Sequence, residues 1–287
     1  MHKALLWMGH RLPLYVIVLA LSVLFAFPFA WTVLSSLKTP PEWFSYPPKW
    51  LPSVPQWGNY EKVWSTFNFP VTRWIYNSFV VVALATIGTV LSASIVAYGF
   101  ARLRFRGRDL LFIITLATMM LPAEVTLIPQ FILFLKMKWL DTFYPLWVPS
   151  WFGGGAFSIF VMRQFYMTLP KELDEAARID GAGYFRIFSS ILIPLCRPAL
   201  ATVGIVSFMS HWADFQGPLI YLKDKMKFTM ALGLRFFNSG AGDTGTDKPL
   251  QVILMAATVV SIIPCIVIFF AGQRYFVKGI ATTGLKG

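Results

Sequence analysis

The sequence predicts an all-α polytopic membrane protein with six transmembrane helices, on three observations. Of 287 residues, 56% are hydrophobic and 13% charged, about half the charged share of a soluble protein. Lys, Glu and Asp are too scarce to clothe a core in water. Apolar runs of about 20 residues, the length that crosses a hydrocarbon layer, occur six times. The 27 Phe, 11 Trp and 10 Tyr suit the two membrane interfaces, where an apolar ring sits in hydrocarbon and its polar edge meets water.

The first span runs from Leu12 to Leu34. Lys3 and Arg11 precede it as in a signal peptide, but the run is too long and no small-residue cleavage site follows, so it is expected to stay uncleaved. The second runs from Trp74 to Phe100 and the third from Leu110 to Leu135, where Pro122 and Pro129 predict a kinked or broken helix. Next comes Phe143 to Phe165, loosened by Gly153, Gly154 and Gly155; Pro194 to Leu222 and Val252 to Tyr275 complete the six. The loop from Lys38 to Arg73, rich in Pro and Trp, should be extended at the interface and not helical. The loop from Lys136 to Asp141 is short and tight, and the one from Lys223 to Leu250 holds a flexible polar stretch, Asn238 to Asp247. No repeat or soluble domain interrupts this pattern, so residues 1–287 form one membrane domain.

Charge sets the orientation. Arg102, Arg104, Arg106 and Arg108 crowd the loop after the second span, a density that marks a cytoplasmic loop. Both termini and the loop at about 166–193 then share that side. The net charge of +12 follows from this bias toward anionic lipid and does not call for nucleic acid. Cys196 and Cys265 stand alone in apolar surroundings, and His2, His10 and His211 are far apart. Neither a disulfide nor a metal site is expected.

The loop between the fourth and fifth spans is unlike the others. It reads Leu169-Pro-Lys-Glu-Leu-Asp-Glu-Ala-Ala-Arg-Ile-Asp-Gly-Ala-Gly183. Pro170 suits a first helical turn, and Glu172, Asp174 and Glu175 set negative charge against its positive end. Leu173, Ala176 and Ala177 share one face at helical spacing, the small alanines leaving room for a partner, and Gly181 and Gly183 end the helix.

Glu175-Ala-Ala177, Gly181, Ile191 and Pro194 keep the spacing of the EAA loop of binding-protein-dependent ABC transporter permeases, with Ile193 where the family has Leu, a volume-conserving change. Trp74-Ile-Tyr-Asn-Ser78, Ala97 to Arg108 and Gln273 to Ile280 also resemble family blocks, closest to the MalG-like permeases of carbohydrate importers. His211-Trp-Ala-Asp-Phe215 departs from the usual Trp-Asn-Asp-Phe-like string, and the Gly/Asp/Thr-rich stretch before the last span looks longer than usual.

The resemblance implies a type I ABC importer permease in a bacterial or archaeal plasma (inner) membrane, with a cytoplasmic coupling helix. It implies a second permease subunit, most simply as a heterodimer, two cytoplasmic ATPase subunits and an extracytoplasmic solute-binding protein. This chain has no Gly-x-x-x-x-Gly-Lys-Ser/Thr loop, so ATP and Mg would be bound by the ATPases. It is expected to be non-catalytic and to hold no cofactor. Its coupling residues would be Glu175, Ala176, Ala177, Asp180, Gly181, Ile191 and Pro194, and its solute a sugar or oligosaccharide, with a glycerol phosphate as the alternative.

Glu124, Asp214 and Trp212 are candidates for the translocation path, because an intramembrane carboxylate is costly against lipid. A rival reading of the acidic loop, a helix lying on the membrane surface, fits poorly with its acidic first turn. The functional runner-up, an ion-coupled secondary transporter, predicts inverted repeats and midplane charge pairs. A membrane enzyme would need clustered His, Asp or Glu at an interface.

Overall fold

The computed structural model describes residues 2–65, 69–243 and 250–283, with side chains for 13–65, 69–237 and 250–273. Along the chain come α1 (His2–Ser36), α2 (Pro40–Trp43), α3 (Gly58–Ser65), α4 (Val71–Arg102), α5 (Arg108–Ala117), α6 (Ala123–Lys136), α7 (Tyr144–Trp147) and α8 (Ala156–Thr168). There follow α9 (Glu172–Ile179), α10 (Tyr184–Arg186), α11 (Ile193–Leu195), α12 (Arg197–Trp212), α13 (Gln216–Tyr221), α14 (Met230–Asp243) and α15 (Gln251–Thr283). Among the described residues there is no strand.

Three stretches are long and apolar enough to cross a membrane as single helices: Pro13–Ser36, Val71–Arg102 and Gln251–Gln273. They coincide with the first, second and last expected spans. The third expected span breaks by 98° between Arg108–Met120 and Ala123–Lys136. Pro122 sits at the break with extended ψ of 139°, whereas Pro129 is accommodated inside α6. The kink therefore belongs to Pro122 alone.

A second bent pair, Tyr184–Leu195 with Arg197–Trp212, turns by 78°. Its helical run starts ten residues before the predicted fifth span and its last straight helix stops at Trp212. Pro194 and Pro198 flank the bend at Cys196, and each removes an N–H from the ladder. Counting each bent pair once gives up to five spans. The stretch expected as the fourth span is instead built from α7, the 3-10 turn Val148–Trp151 and the 13-residue α8. Gly153, Gly154 and Gly155 take φ of 100°, 66° and 83°, left-handed values that no helix can contain.

The chain divides into two units, Met1–Val71 with Leu234–Ile262, and Thr72–Gly233 with Ile263–Gly287. In the first, the loop after α1 is folded back by side chains. Thr39 and Ser53 backbone N–H groups each donate to the Glu42 carboxylate at 2.9 Å. Hydrogen bonding from the Ser53 side chain and from these N–H groups holds the Glu42 carboxyl down at about 2. Asn59 Nδ2 donates to the Ser36 and Lys38 carbonyls at 2.9 and 3.0 Å. The Lys38 ammonium lies 4.1 Å over the Trp31 ring, and Trp50 packs edge-on to Trp31 at 5.5 Å.

Three helices appear where loops were expected: α3 and the one-turn α2 between Lys38 and Arg73, and α14 between Lys223 and Leu250. Residues 58–65 fall in the proline-free stretch between Pro55 and Pro70, so α3 can form and buries Asn59 and Val63, one turn apart on one face. Between Lys223 and Leu250, Met230 and Phe237 are buried two turns apart and α14 forms around them. The expected flexible stretch is thus helical to Asp243; residues 244–249 lie outside the described part.

The second unit holds the larger core. Ala93, Ala97 and Tyr98 of α4, Ile159, Met162 and Tyr166 of α8, and Ile187, Leu192, Cys196 and Val203 pack as one buried cluster. Two glycines permit the approach of the irregular segment to α4. A methyl group at Gly88 would collide with the Trp151 indole, and one at Gly154 with the Thr89 carbonyl and Ala93. The indole N–H donates to the Leu84 carbonyl at 3.1 Å.

The start of α4 clasps the stretch before α14. Trp74 Nε1 donates to the Lys225 carbonyl, Asn77 Nδ2 to those of Met226 and Phe228, and the Met230 N–H donates to Ser78 Oγ. Three residues of the Trp74–Ser78 block therefore serve this contact. Asp141 continues the clasp: its carboxylate accepts from the Lys223 and Asp224 N–H groups and from Lys227 Nζ at 2.6 Å.

Gly154→Ala adds both a clash and a left-handed non-glycine residue, so it is expected to cost about 1–3 kcal/mol, measured by unfolding in detergent. The Lys227 ammonium, with the Lys223 and Asp224 N–H groups, holds the Asp141 carboxyl down at about 2, below its value of about 3.9 in an unfolded chain. A depressed carboxyl stabilises the fold above the unfolded value and loses that contribution as pH falls through the folded one. Asp141→Asn is therefore expected to lower stability at pH 7, with the gap from the wild type narrowing between about pH 4 and pH 2.

Candidate coupling site on the acidic helix

The geometry of α9 follows from its end. Gly181 is left-handed at φ 80°. Its N–H donates to the Arg178 carbonyl at 3.0 Å, and the Ala182 N–H donates to the Ala177 carbonyl at 2.9 Å. This pair of bonds is the Schellman closure, in which a left-handed glycine just past the helix satisfies its last carbonyls. Gly183 plays a different part: at φ −74° and ψ 166° it opens α10.

The inner face of α9 is tied down. Ala177 is buried in the α4 and α8 core, and Asp174 Oδ2 lies 3.5 Å from Arg102 Nε at the end of α4. Arg102 Nη2 also donates to the Leu169 carbonyl at 2.9 Å, and Tyr98 OH to the Tyr184 carbonyl at 3.2 Å. The chain before and after α9 is thus anchored to one helix.

The outer face is bare. Ile179 is 87% and Phe185 79% exposed, and Leu173 and Tyr184 are exposed beside them. Glu175, Ala176 and Asp180 also face outward. The structure splits the trio that shares one face by spacing: Ala177 turns inward, while Leu173 and Ala176 face out. The deciding factor is Asp174, which is drawn to Arg102 and rotates Ala177, one turn on, into the core. Ile191 packs against that core and Pro194 lies exposed just before the bend at Cys196.

The spacing of the acidic string did not reveal the Arg102 anchor or the apolar Ile179 and Phe185. The signal for the first was a buriable Asp174 three residues before Ala177. For the second it was two large apolar side chains flanking a polar helix end.

The path candidates are not gathered into one site. Trp212 is buried, stacked on Phe208 at 5.7 Å and edge-on to Phe79 at 5.0 Å. Asp214 Oδ1 accepts from the Gly217 N–H, in the first turn of α13, at 3.1 Å. Glu124 is exposed in the first turn of α6, just past the 98° bend. His211 lies between Ser150 Oγ, 3.3 Å from Nε2, and the Ser207 carbonyl, 2.8 Å from Nδ1.

Comparison with known proteins places this architecture. The chain is 31% identical to the arabinooligosaccharides transport system permease protein AraQ of Bacillus subtilis (strain 168), over 97% of this chain and 96% of the relative. It is 30% identical to the trehalose/maltose transport system permease protein MalG of Thermococcus litoralis, over 96% and 97%. The sn-glycerol-3-phosphate transport system permease protein UgpE of Yersinia enterocolitica is 34% identical over 74% and 73%. In fold, the chain is similar to a chain of a bacterial ABC transporter involved in the import of the acidic polysaccharide alginate, with a TM-score of 0.80, 22% identity, and 92% and 95% of the two chains covered. Residues 89–282 match the family model described as the binding-protein-dependent transport system inner membrane component, and the chain belongs to that family.

Proposed function

We propose that this chain is the permease subunit of an ATP-driven importer and that α9 is its coupling helix. The observation that carries the reading is the two-sidedness of α9. Its inner face is fixed by an ion pair and a buried alanine, while its outer face leaves Leu173 and Ile179 uncovered around Glu175, with Phe185 of α10 exposed as well. Apolar side chains of that size on a polar helix end mark a surface that a partner covers. That partner is a cytoplasmic ATPase subunit, which would bind ATP and Mg. Closure of an ATPase dimer then pulls α9, and the 78° bend at Cys196 turns the pull into rotation of α12.

In this reading the chain crosses the plasma membrane six times with both termini cytoplasmic. The straight helices supply three spans, the bent pairs two, and residues 144–168 the last. A second permease subunit completes the path and an extracytoplasmic binding protein delivers the solute. The solute is a sugar or oligosaccharide, supported by the names of the arabinooligosaccharide and trehalose/maltose relatives. A glycerol phosphate is the alternative, supported by the sn-glycerol-3-phosphate relative. None of these relatives supports the ion-coupled carrier.

Glu175→Lys combined with Gly181→Asp reverses the exposed charge and places a side chain in a left-handed turn, at a cost of about 1–2 kcal/mol for the turn. Transport and solute-stimulated ATP hydrolysis are expected to fall together in the reconstituted complex, while the chain still inserts. Survival of both activities would overturn the coupling role. For the path, Asp214→Asn keeps an acceptor oxygen for the Gly217 N–H, Asn and Asp serving about equally at a helix start, and is expected to leave solute affinity unchanged. Glu124→Gln is expected to lower transport if the exposed carboxylate meets the solute; unchanged rates for both variants remove them from the path.

A further inference from the structure

A cleft of about 370 Å³ opens between the arginine-rich turn after α4 and the helix α9. It is lined by Arg102, Arg104, Arg108, Lys171 and Arg178, with Asp174, Glu175 and Tyr184. Five cations thus face two carboxylates, and Asp174 is already set against Arg102. Arg108 Nε is engaged by Asp109 at 2.9 Å, which leaves its terminal amino groups to the cleft. The Arg178 guanidinium lies 4.9 Å over the Tyr184 ring. The cations left over outnumber the single free carboxylate of Glu175.

The floor of the cleft is incompletely satisfied. The Arg102 side chain is 3% exposed, yet its Nε makes no hydrogen bond, and neither does Asp174 Oδ1. A buried guanidinium N–H without an acceptor is costly, and this one borders a cavity large enough to supply one.

We propose that this cleft binds a phosphate group, with Arg102 at its floor and Arg104, Arg108 and Arg178 around it. Phosphate fits better than a carboxylate, because it offers three or more acceptor oxygens to several guanidinium forks at once. Its source is either a phospholipid headgroup or free phosphate. Position favours lipid: Arg102 is the last residue of an apolar 32-residue helix, so the cleft opens at the bilayer surface. Exposed Phe105 and Leu110 stand on the same rim beside Arg104 and Arg108, where an acyl chain would continue from the headgroup. A phosphate esterified to a hydroxyl-bearing headgroup would also give Asp174 Oδ1 its missing donor.

The test uses the full-length chain with its associated subunits in nanodiscs of phosphatidylcholine with or without phosphatidylglycerol, read by native mass spectrometry. The expected result is one retained phosphatidylglycerol per chain. Arg104→Gln with Arg178→Gln is expected to weaken retention about tenfold or more, and Arg104→Lys, which keeps the charge, less. Thermal stabilisation by inorganic phosphate in pure phosphatidylcholine, abolished by the same pair of substitutions, would instead identify free phosphate. Retention unaffected by the substitutions, with no phosphate effect, overturns the site. Crosslinks from the cleft to an acidic segment of an associated subunit, with no lipid retained, would overturn it in favour of a protein partner.

Discussion

Hydrocarbon offers no partner to a peptide N–H or C=O, so every departure from a helix at membrane depth has to be answered by another group of the protein. The segment around Gly153–Gly155 shows how this is met. The Ser92 hydroxyl lies 2.7 Å from the Gly88 carbonyl and 2.9 Å from that of Ser150, and the Trp151 indole serves the Leu84 carbonyl. These contacts bind the irregular segment to the middle of α4. They require Gly88 and Gly154 to be bare, because a side chain at either would push the two apart. The core of α4 and α8 is built around this contact.

The other breaks use the same economy in different places. Pro122 ends one helix and begins the next with no N–H of its own to satisfy. At Cys196 the N–H bonds to the Leu192 and Ile193 carbonyls at 2.9 and 3.2 Å, so the turn closes on itself. Because Leu192 and Cys196 are both buried in the core that holds Ala177, the bend and α9 share one packing unit. That shared packing supports α9 as a handle: a displacement of Ala177 meets the helical run leading into α12, not solvent.

Charge acts at the ends of the apolar helices. Asp141 gathers the Lys223 and Asp224 N–H groups and the Lys227 ammonium. Arg102 and Asp174 tie the opposite end of α4 to α9. Neither pair needs to survive in hydrocarbon, which would exact several kcal/mol per unpaired ion.

Local needs were legible in the residue order. The spans at Pro13–Ser36, Val71–Arg102 and Gln251–Gln273 follow from apolar runs long enough to hide their own backbone. Gly181 follows from the left-handed residue that a Schellman closure demands. The break at Pro122 follows from a missing N–H. What the tertiary structure alone decided is which side of each element is covered. Spacing put Ala176 and Ala177 together, and only Arg102, far off in the chain, turned one inward and left the other out. The same holds for α14, where the linear order does not tell the buried Met230, Leu232 and Phe237 from their apolar neighbours, and for the fourth expected span, which glycines divided so that it could lie against α4. A backbone hydrogen bond is satisfied within a few residues and so leaves a local mark. The choice of a buried face depends on surfaces supplied by distant residues, and these meet only when the chain has folded.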